Sequence, residues 1–313
     1  MRAEASNGST SSPQARGAQT LTPTGSAPLA SLSPRREGLD STPLGQLSSL
    51  AGDSPDKRWV GRSFAKAAGR YDRLAALQRE VADELLARST GALGEPARMV
   101  DVGAGTGYCA EWLRDRYAAA ELAVLDLAPA MLAQARRRPA LLGSAVFLCG
   151  DAERLPLRSA SADLLVSNLA LQWCGDLAAA LAELRRVAAP GALLAASLFS
   201  GDTLAELRSA WSRVDGHTHV NRFVTAEDLQ QLLRAGGWLR HEVTETVRVP
   251  SYPSVEELMR ELKGWGAGNL TRNRPRHLTG KARLAAMTRA YEAAMGGGEV
   301  RATFRVATVL AQA

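Results

Sequence analysis

The sequence has little cysteine and no long apolar run. Its three cysteines, Cys109, Cys149 and Cys174, are too few and too scattered for a disulfide framework. We therefore expect ordinary thiols in a reducing compartment and a cytoplasmic location. No apolar run approaches the roughly 20 residues that a membrane-spanning helix needs, so no membrane association is expected. The histidines make no zinc-ligand spacing with the cysteines, and no metal site is expected.

Residues 1–55 lack tryptophan, phenylalanine and tyrosine altogether and are rich in Ser, Thr, Pro and Gly. Such a segment buries too little apolar surface to offset the entropy lost on ordering, so we predict a disordered N-terminal tail. Its acid-poor composition also suits an organelle transit peptide, although a clear amphipathic helix is missing. The remaining residues, 56–313, are predicted to form one domain.

Apolar runs typical of strands alternate with helical patterns in the middle of the chain. The strands are predicted at 97–102, 121–126, 145–150, 162–168 and 192–199. The helices between them are predicted at 107–117, 129–137 and 176–188. This alternation predicts an α/β fold with a doubly wound, mostly parallel sheet and helices on both faces.

Further elements flank this core. An amphipathic helix is predicted at 72–88, and two longer strands are predicted at 242–249 and 300–309. In the second of these strands, Arg301, Thr303 and Arg305 alternate with apolar residues, which predicts one solvated face.

Three glycines, Gly103, Gly105 and Gly107, follow the first predicted strand in the run "VDVGAGTG". A nucleotide cofactor and a simple tight turn are both compatible with them. The dinucleotide fingerprint fails because Tyr108 stands where its third glycine belongs, and the Lys-Ser/Thr pair of a P-loop is missing.

Acids stand at the ends of successive predicted strands: Asp101 before the glycine loop, Asp126 after the second strand and Asp151 after the third. Asp126 can accept hydrogen bonds from both hydroxyls of a ribose, and Asp151 can receive an adenine amine. Asp101 can order the loop or face an amino group of a ligand. One such aspartate is usually a turn or a cap; three around a glycine loop favour a ligand site at the carboxyl ends of the strands.

The runs "VDVGAGTG", "LDLAPAML", "GDAERLPL" and "NLALQW" together resemble the class I S-adenosylmethionine-dependent methyltransferases over about residues 97–200. The resemblance implies a seven-stranded sheet that ends in an antiparallel hairpin, with S-adenosylmethionine as cofactor. The implied cofactor-binding residues are Asp101, Gly103, Ala104, Gly105, Gly107, Asp126, Leu127, Met131, Asp151, Ala152 and Asn168.

Residues 262–291 contain seven basic residues and no acid, although the whole chain carries 38 basic and 32 acidic residues. This segment is either an ordinary solvated surface or a docking face for an anionic partner. A nucleic-acid partner is not expected, since Trp265 is the one tryptophan in the segment and interleaved stacking aromatics are missing.

Three further runs are similar to the malonyl-acyl-carrier-protein O-methyltransferase family: "SFAKAAGRYDRLAALQ", "AWSRVDGHTHVNRF" and "LKGWGAGNLTRNRPRHLTGKARL". With the cofactor motifs, this resemblance covers about residues 59–312 and leaves the tail out. It implies methylation of the free carboxylate of a malonyl thioester, a helical N-terminal cap, an inserted helical acceptor region at about 203–295, and an acidic acyl carrier protein as partner. The implied docking residues are Lys263, Arg272, Arg274, Arg276, Lys281 and Arg283.

A malonyl carboxylate is ionised at neutral pH, so no general base is required. Arg222 is the first candidate to grip this carboxylate and Arg70 the second, although a salt bridge to a neighbouring acid would account equally well for either. Tyr71 is expected to close the cofactor pocket. Gln172 completes the candidate catalytic set, and the adjacent Trp173 is either a core anchor or a wall of the site.

Two other functions remain open. One is methylation of a small free di- or tricarboxylate. The other is a repurposed, non-methylating relative, because "FSGDTLAELR" is similar to a complex I assembly family that hydroxylates a protein arginine. A monomer is expected in each case.

Overall fold

The computed structural model describes residues 55–92, 94–270 and 280–313. The helices are α1 (Lys57–Ala67), α2 (Tyr71–Leu74), α3 (Ala76–Thr90), α4 (Tyr108–Arg116), α5 (Pro129–Ala135), α6 (Leu177–Val187), α7 (Ala205–Ser212), α8 (Ala226–Ala235), α9 (Val255–Gly264) and α10 (Lys281–Ala294). The strands are β1 (Arg98–Val102), β2 (Glu121–Asp126), β3 (Val146–Cys149), β4 (Ala162–Asn168), β5 (Ala188–Phe199), β6 (Arg240–Arg248), β7 (Ser251–Tyr252), β8 (Val300–Arg301) and β9 (Phe304–Gln312).

Seven strands form one sheet in the order β3-β2-β1-β4-β5-β9-β6. Strands β1 to β5 are parallel, whereas β9 runs antiparallel to both β5 and β6. The mostly parallel seven-stranded sheet predicted from the sequence is therefore confirmed. Parallel order brings the carboxyl ends of β1 to β4 to one edge of the sheet, where ligands of such folds bind.

Helices cover both faces of the sheet, which explains the apolar run 164–166 in the middle of β4. Leu165 packs into an apolar cluster shared with α6 and α8. Leu164 and Val166 point into another, shared with α3, α4 and α5. A strand covered on both faces needs a continuous apolar run rather than an alternating one.

The last part of the sheet contains the antiparallel strand pair that the resemblance implied. Strands β6 and β9 pair antiparallel from Arg240↔Gln312 to Arg248↔Phe304, and their connection is long. Between them the chain forms β7, α9, α10 and β8, and β7 pairs with β8 in a separate two-stranded sheet. The inserted helical region therefore lies partly inside the connection between two neighbouring strands.

The single strand predicted at 300–309 is wrong, because it is interrupted at Ala302 and Thr303. The Thr303 carbonyl accepts the Leu204 N–H at 2.7 Å, and its N–H donates to Glu206 at 3.2 Å. Because residues at the start of α7 bind both backbone groups of Thr303, this residue does not pair with a neighbouring strand. Exposed or half-buried residues alternate with buried ones, as predicted, up to Val306. Beyond Val306 both faces of β9 are buried, and the strand pairs with β5 on one side and β6 on the other.

The helix predicted at 72–88 is also divided. It begins at Ala76, and the short α2 precedes it with a break at Ala75. The indole of Trp265 donates to the Leu74 carbonyl at 2.6 Å, which ties α2 to the end of α9. Among the described residues, no helix has the length and apolar character needed to cross a membrane.

Gly107 shows how closely the glycine loop packs against the neighbouring helix. Its φ is +85°, and an added Cβ would lie 2.9 Å from the Cβ of Ala135 in α5. Gly191 has a φ of +79° but no atom within 4 Å of such a Cβ. We expect Gly191→Ala to lower the free energy of unfolding by about 1–2 kcal/mol from backbone strain alone.

Gly107→Ala carries the same strain plus a clash, so its loss is expected to be larger by a further 1–3 kcal/mol or so. Urea unfolding of the two variants measures the difference. Equal losses would contradict the tight packing of this loop against α5.

Candidate active site

A cavity lies at the carboxyl edge of the sheet, where β1, β2, β3 and β4 end. We term it the strand-end cavity. Of the sequence-predicted cofactor residues, its lining includes Gly103, Gly105, Asp126, Leu127, Met131, Asp151, Ala152 and Asn168. A smaller adjoining pocket includes Asp101 and Ala104, so the fold brings together all the predicted cofactor residues except Gly107, which packs against α5.

The glycine loop is held by the end of β2. The N–H groups of Gly103 and Ala104 both donate to the Leu125 carbonyl, at 2.8 and 2.9 Å. Gly103 has a φ of +70°, and a Cβ there would lie 2.3 Å from the Cβ of Ala170. At Gly105 (φ +55°) no atom lies within 4 Å of an added Cβ, so this glycine leaves open space toward the cavity.

Asp126 is only 9% exposed and binds two backbone groups. Its carboxylate accepts the Gly105 N–H at 2.8 Å and the Ala128 N–H at 2.7 Å. Burial raises the pKa of Asp126, and these two hydrogen bonds offset part of that rise. Each carboxylate oxygen has a second lone pair, so Asp126 can still accept hydrogen bonds from hydroxyl groups of a ligand.

The adjoining pocket contains two buried acceptors without partners. Neither Asp101 Oδ2 nor Gln78 Oε1 has a hydrogen-bond partner among the described residues. Burial raises the pKa of Asp101 to about 7, and the nearby Asp126 charge adds to that rise. Orphaned acceptors of this kind fit a ligand group that is cationic and rich in N–H donors.

Helix α1 belongs to the helical N-terminal cap that the resemblance implied, but its residues in the wall of the strand-end cavity were not predicted. Lys57, Val60, Gly61 and Phe64 all line the cavity. Their spacing is that of one helical face, but a lysine and a glycine interrupt the apolar pattern that would have marked it.

Lys57 ties this helix to the end of β3. Its ammonium lies 2.5 Å from Asp151 and 2.6 Å from Glu153. Burial alone would lower the pKa of Lys57, but the hydrogen bonds to these two carboxylates raise it overall. The predicted adenine-binding carboxylate is thus already paired with a cation.

The segment after β4 is held in a strained conformation beside the cavity. Leu169 has a φ of +48°, which is uncommon for a residue other than glycine. Gln172 does not line the cavity; its amide donates to the Leu169 carbonyl at 2.7 Å. The Asn168 amide donates to the Gln78 carbonyl at 2.9 Å and its carbonyl accepts the Ser197 hydroxyl at 2.7 Å. Gln172 and Asn168 therefore shape the backbone at this edge.

Trp173 lines the strand-end cavity and also a second cavity. We term the second the insert cavity, because most of its wall comes from the residues between β5 and β9. Its apolar wall includes Phe199, Leu204, Leu207, Phe223, Met259, Trp265 and Phe304. Both roles considered for Trp173 are compatible with the structure, since this residue packs in a buried apolar cluster with Val60 and Leu270 and also lines both cavities.

The polar residues of the insert cavity were not predicted. His219 stacks on Trp211 with 3.8 Å between ring centroids, and its Nε2 lies 2.8 Å from the Asp215 carboxylate. Asn221 also lines the cavity, and Arg260 and Lys263 are exposed residues of its wall. No local sequence motif could have indicated these residues, because α7, α9 and the loop before α8 bring them together from separate parts of the chain.

Only some of the candidate acceptor-binding residues line these cavities. Tyr71 lines the strand-end cavity and the adjoining pocket, and burial raises the pKa of its phenol. Arg70 and Arg222 are exposed and line none of the cavities described here, although Asn221 and Phe223 beside Arg222 do.

The predicted docking residues are described only in part. Lys263 lines the insert cavity, and Lys281 and Arg283 lie exposed in the first turn of α10. Arg283 is 4.0 Å from the Asp215 carboxylate. Arg272, Arg274 and Arg276 lie outside the described residues, as does the predicted tail apart from Pro55.

Comparison with known proteins identifies the class to which this fold belongs. Residues 100–196 match the family described as "Methyltransferase domain". The fold is similar to that of the YcgJ protein from Bacillus subtilis, with a TM-score of 0.53 and 15% identity over 75% of this chain and 98% of that one. The chain therefore has the class I methyltransferase fold.

Two curated relatives narrow the class. The chain is 48% identical to malonyl-[acyl-carrier protein] O-methyltransferase from Methylococcus capsulatus, over 83% of this chain and 95% of that protein. It is 43% identical to the protein of that name from Serratia marcescens, over 79% of this chain and 92% of that protein. It belongs to the malonyl-[acyl-carrier protein] O-methyltransferase family.

The raised pKa of Asp101 makes stability depend on pH. The buried carboxyl of Asp101 has a pKa of about 7, which is above its ordinary value. The folded state therefore favours the protonated carboxyl, and the resulting stability is lost as the pH rises from the ordinary pKa to about 7. Compared with Asp101→Asn, the wild-type protein should lose about 2–3 kcal/mol of unfolding free energy between about pH 5 and about pH 8. Urea unfolding of both proteins at the two pH values measures this loss.

Asp163→Asn is a matched control. The guanidinium of Arg98 holds the pKa of Asp163 below its ordinary value, so that contribution is complete above the ordinary value and is lost only in stronger acid. The difference in unfolding free energy between Asp163→Asn and the wild type should therefore stay constant over the same pH interval. A constant difference for Asp101→Asn as well would show that Asp101 is not a buried acid.

Proposed function

We propose that this protein transfers a methyl group from S-adenosylmethionine to the free carboxylate of a malonyl group carried as a thioester on an acyl carrier protein. The observation that carries the proposal is the 48% identity with a relative of that name over 95% of the relative's length. The similarity therefore extends well beyond the cofactor half, into the region that builds the insert cavity.

The strand-end cavity is the proposed cofactor site. When bound there, S-adenosylmethionine supplies an electrophilic methyl group on a sulfonium. Asp126 would bind the ribose hydroxyls, and Asp151 would lie beside the adenine. Asp101 Oδ2 and Gln78 Oε1, which have no partner in the part of the chain that the structure describes, fit the ammonium of the methionyl part, because that group can donate to both.

The insert cavity is the proposed acceptor site. It meets the strand-end cavity at Trp173, so an acyl group entering through the insert cavity would reach the cofactor beside this ring. The aromatic and aliphatic wall would exclude water from the acyl arm. A less hydrated carboxylate is a better nucleophile.

The chain's own residues would act by orientation rather than by proton transfer. A malonyl carboxylate with a pKa near ~4 is already ionised, so no general base is needed. The phenol of Tyr71 is protonated at neutral pH, and burial raises its pKa further, so it can donate a hydrogen bond to the acceptor. The grip of Arg222 or Arg70 on the carboxylate stays a prediction, as do the single-copy state and the cytoplasmic location.

Tyr71→Phe tests the proposed hydrogen bond. Loss of a hydrogen bond to a charged group should lower kcat/KM for the malonyl thioester by about ten- to a hundredfold. The ring that closes the cavity is kept, so the Kd for the cofactor should change much less. Steady-state kinetics and calorimetry provide the two values. An equal loss in both would make Tyr71 a part of the cofactor site alone.

An acidic carrier protein would meet the exposed bases around the insert cavity. Arg260 and Lys263 lie three positions apart on α9, and Lys281 begins α10. Exposed charges of this kind act mainly on the rate of association, and salt screens them.

Charge reversal at Arg260 and Lys263 together should therefore raise the KM for malonyl carrier protein by about tenfold at low salt, with a much smaller effect on malonyl-CoA. The carrier-protein KM of the variant should also depend less on salt. Arg240→Glu changes an exposed arginine at the other end of the sheet and serves as control. The same loss on malonyl-CoA would exclude docking as the cause.

An assay with labelled methyl donor tests the function itself. Malonyl carrier protein, malonyl-CoA and free malonate are offered separately to the purified protein. We expect efficient transfer to the thioesters and little to malonate. Preference for malonate would favour the small-acid methyltransferase considered above, and cofactor binding without transfer to any acceptor would favour the repurposed relative.

A further inference from the structure

Asn221 is a buried side chain in the wall of the insert cavity that lacks part of its hydrogen bonding. It is 6% exposed, and its Oδ1 has no hydrogen-bond partner in the described part of the chain. A buried amide oxygen without a partner costs free energy, so native structures rarely keep one unless a ligand or an ordered water pairs with it. The walls around it are mainly apolar, which makes this acceptor distinctive.

The backbone that carries Asn221 is held by contacts with its surroundings. The Arg208 guanidinium donates to the backbone carbonyl of Thr203 at 3.2 Å and to the backbone carbonyl of Asn221 at 3.4 Å. Asn269 donates to the Thr218 carbonyl and so connects the preceding residues to the end of the α9 region. Two residues before Asn221, His219 stacks on a tryptophan. The amide oxygen is therefore presented by a segment held from three sides.

We propose that Asn221 Oδ1 accepts a hydrogen bond from an amide N–H of the thiol arm that carries the malonyl group. This inference rests on the proposed function. The ionised carboxylate and the thioester of the acceptor can only accept hydrogen bonds. The donor nearest to the thioester sulfur in carrier-protein and coenzyme A arms is an amide N–H. Asn221 would thus distinguish pantetheine-type thioesters from simple thioesters and free acids, since a site with a buried acceptor rejects ligands that leave it unpaired.

Two synthetic acceptors that differ at one atom test this role. One is the malonyl thioester of N-acetylcysteamine. The other is the malonyl thioester of 2-mercaptoethyl acetate, in which an ester oxygen replaces the amide N–H. We expect wild-type kcat/KM to be about tenfold or more higher for the amide than for the ester, and Asn221→Leu to reduce this preference to about twofold or less.

Further variants separate recognition from packing. Asn221→Asp keeps an acceptor oxygen and should retain more of the preference than Asn221→Leu. Val220→Ala trims the same wall without removing a polar group, and it should retain the wild-type ratio. Because each ratio compares two acceptors on one enzyme preparation, a partly folded variant does not alter it.

Several outcomes would overturn the inference. One is a wild-type enzyme with no preference for the amide. Another is an Asn221→Leu variant that loses equally on both acceptors, which would mean that Asn221 binds a structural water or only packs. If the wild type methylates neither thioester yet methylates malonate, the proposed function itself fails. Transfer to both thioesters with equal efficiency leaves the proposed function intact and removes only the role of Asn221.

Discussion

A partly buried hydrogen bond between the loop after β1 and the end of β2 is the constraint on which the site depends. The Gly105 N–H donates to the Asp126 carboxylate at 2.8 Å, and the same carboxylate holds the Ala128 N–H at 2.7 Å. The chain can follow this path only because Gly105 has a positive φ and Gly103 has no Cβ to meet Ala170. The glycine loop, the carboxylate and the segment after β4 therefore form one unit, and the cavity is the space that this unit leaves open.

Helix α1 extends that unit to the second cavity. At its start, Lys57 pairs with carboxylates after β3, and Ser63 in its middle donates to the Gly266 carbonyl at 2.9 Å. Phe64 lies edge-on to Trp173 with 5.5 Å between ring centroids. One helix thus contacts the wall of the strand-end cavity, the shared tryptophan and the segment that follows α9. A displacement of α1 would change both cavities together, because its contacts with them are only a few residues apart.

The sequence predicted the parallel core well because each element there carries its own local pattern. Strands covered on both faces read as apolar runs, and the polar residues that follow them mark the edge of the sheet where the cavity lies. The predictions that failed lie where a distant partner takes over a backbone group. Thr303 leaves its strand because the start of α7 binds it, and the α2–α3 break lies beside the Leu74 carbonyl that Trp265 binds. Neither partner is near in sequence.

What the sequence alone determined is the sheet, the glycine loop and the carboxylates at the strand ends, since these follow from periodicity and from backbone freedom at a few positions. Only the tertiary structure decided the composition of the walls. It placed α1 over the strand ends and Trp173 in the walls of both cavities. It buried Asn221, whose Oδ1 has no hydrogen-bond partner among residues 55–92, 94–270 and 280–313, and left Arg70 and Arg222 exposed. The physical reason is that cavity walls are made by packing between segments far apart in the chain, and side-chain burial is a property of that packing rather than of local sequence.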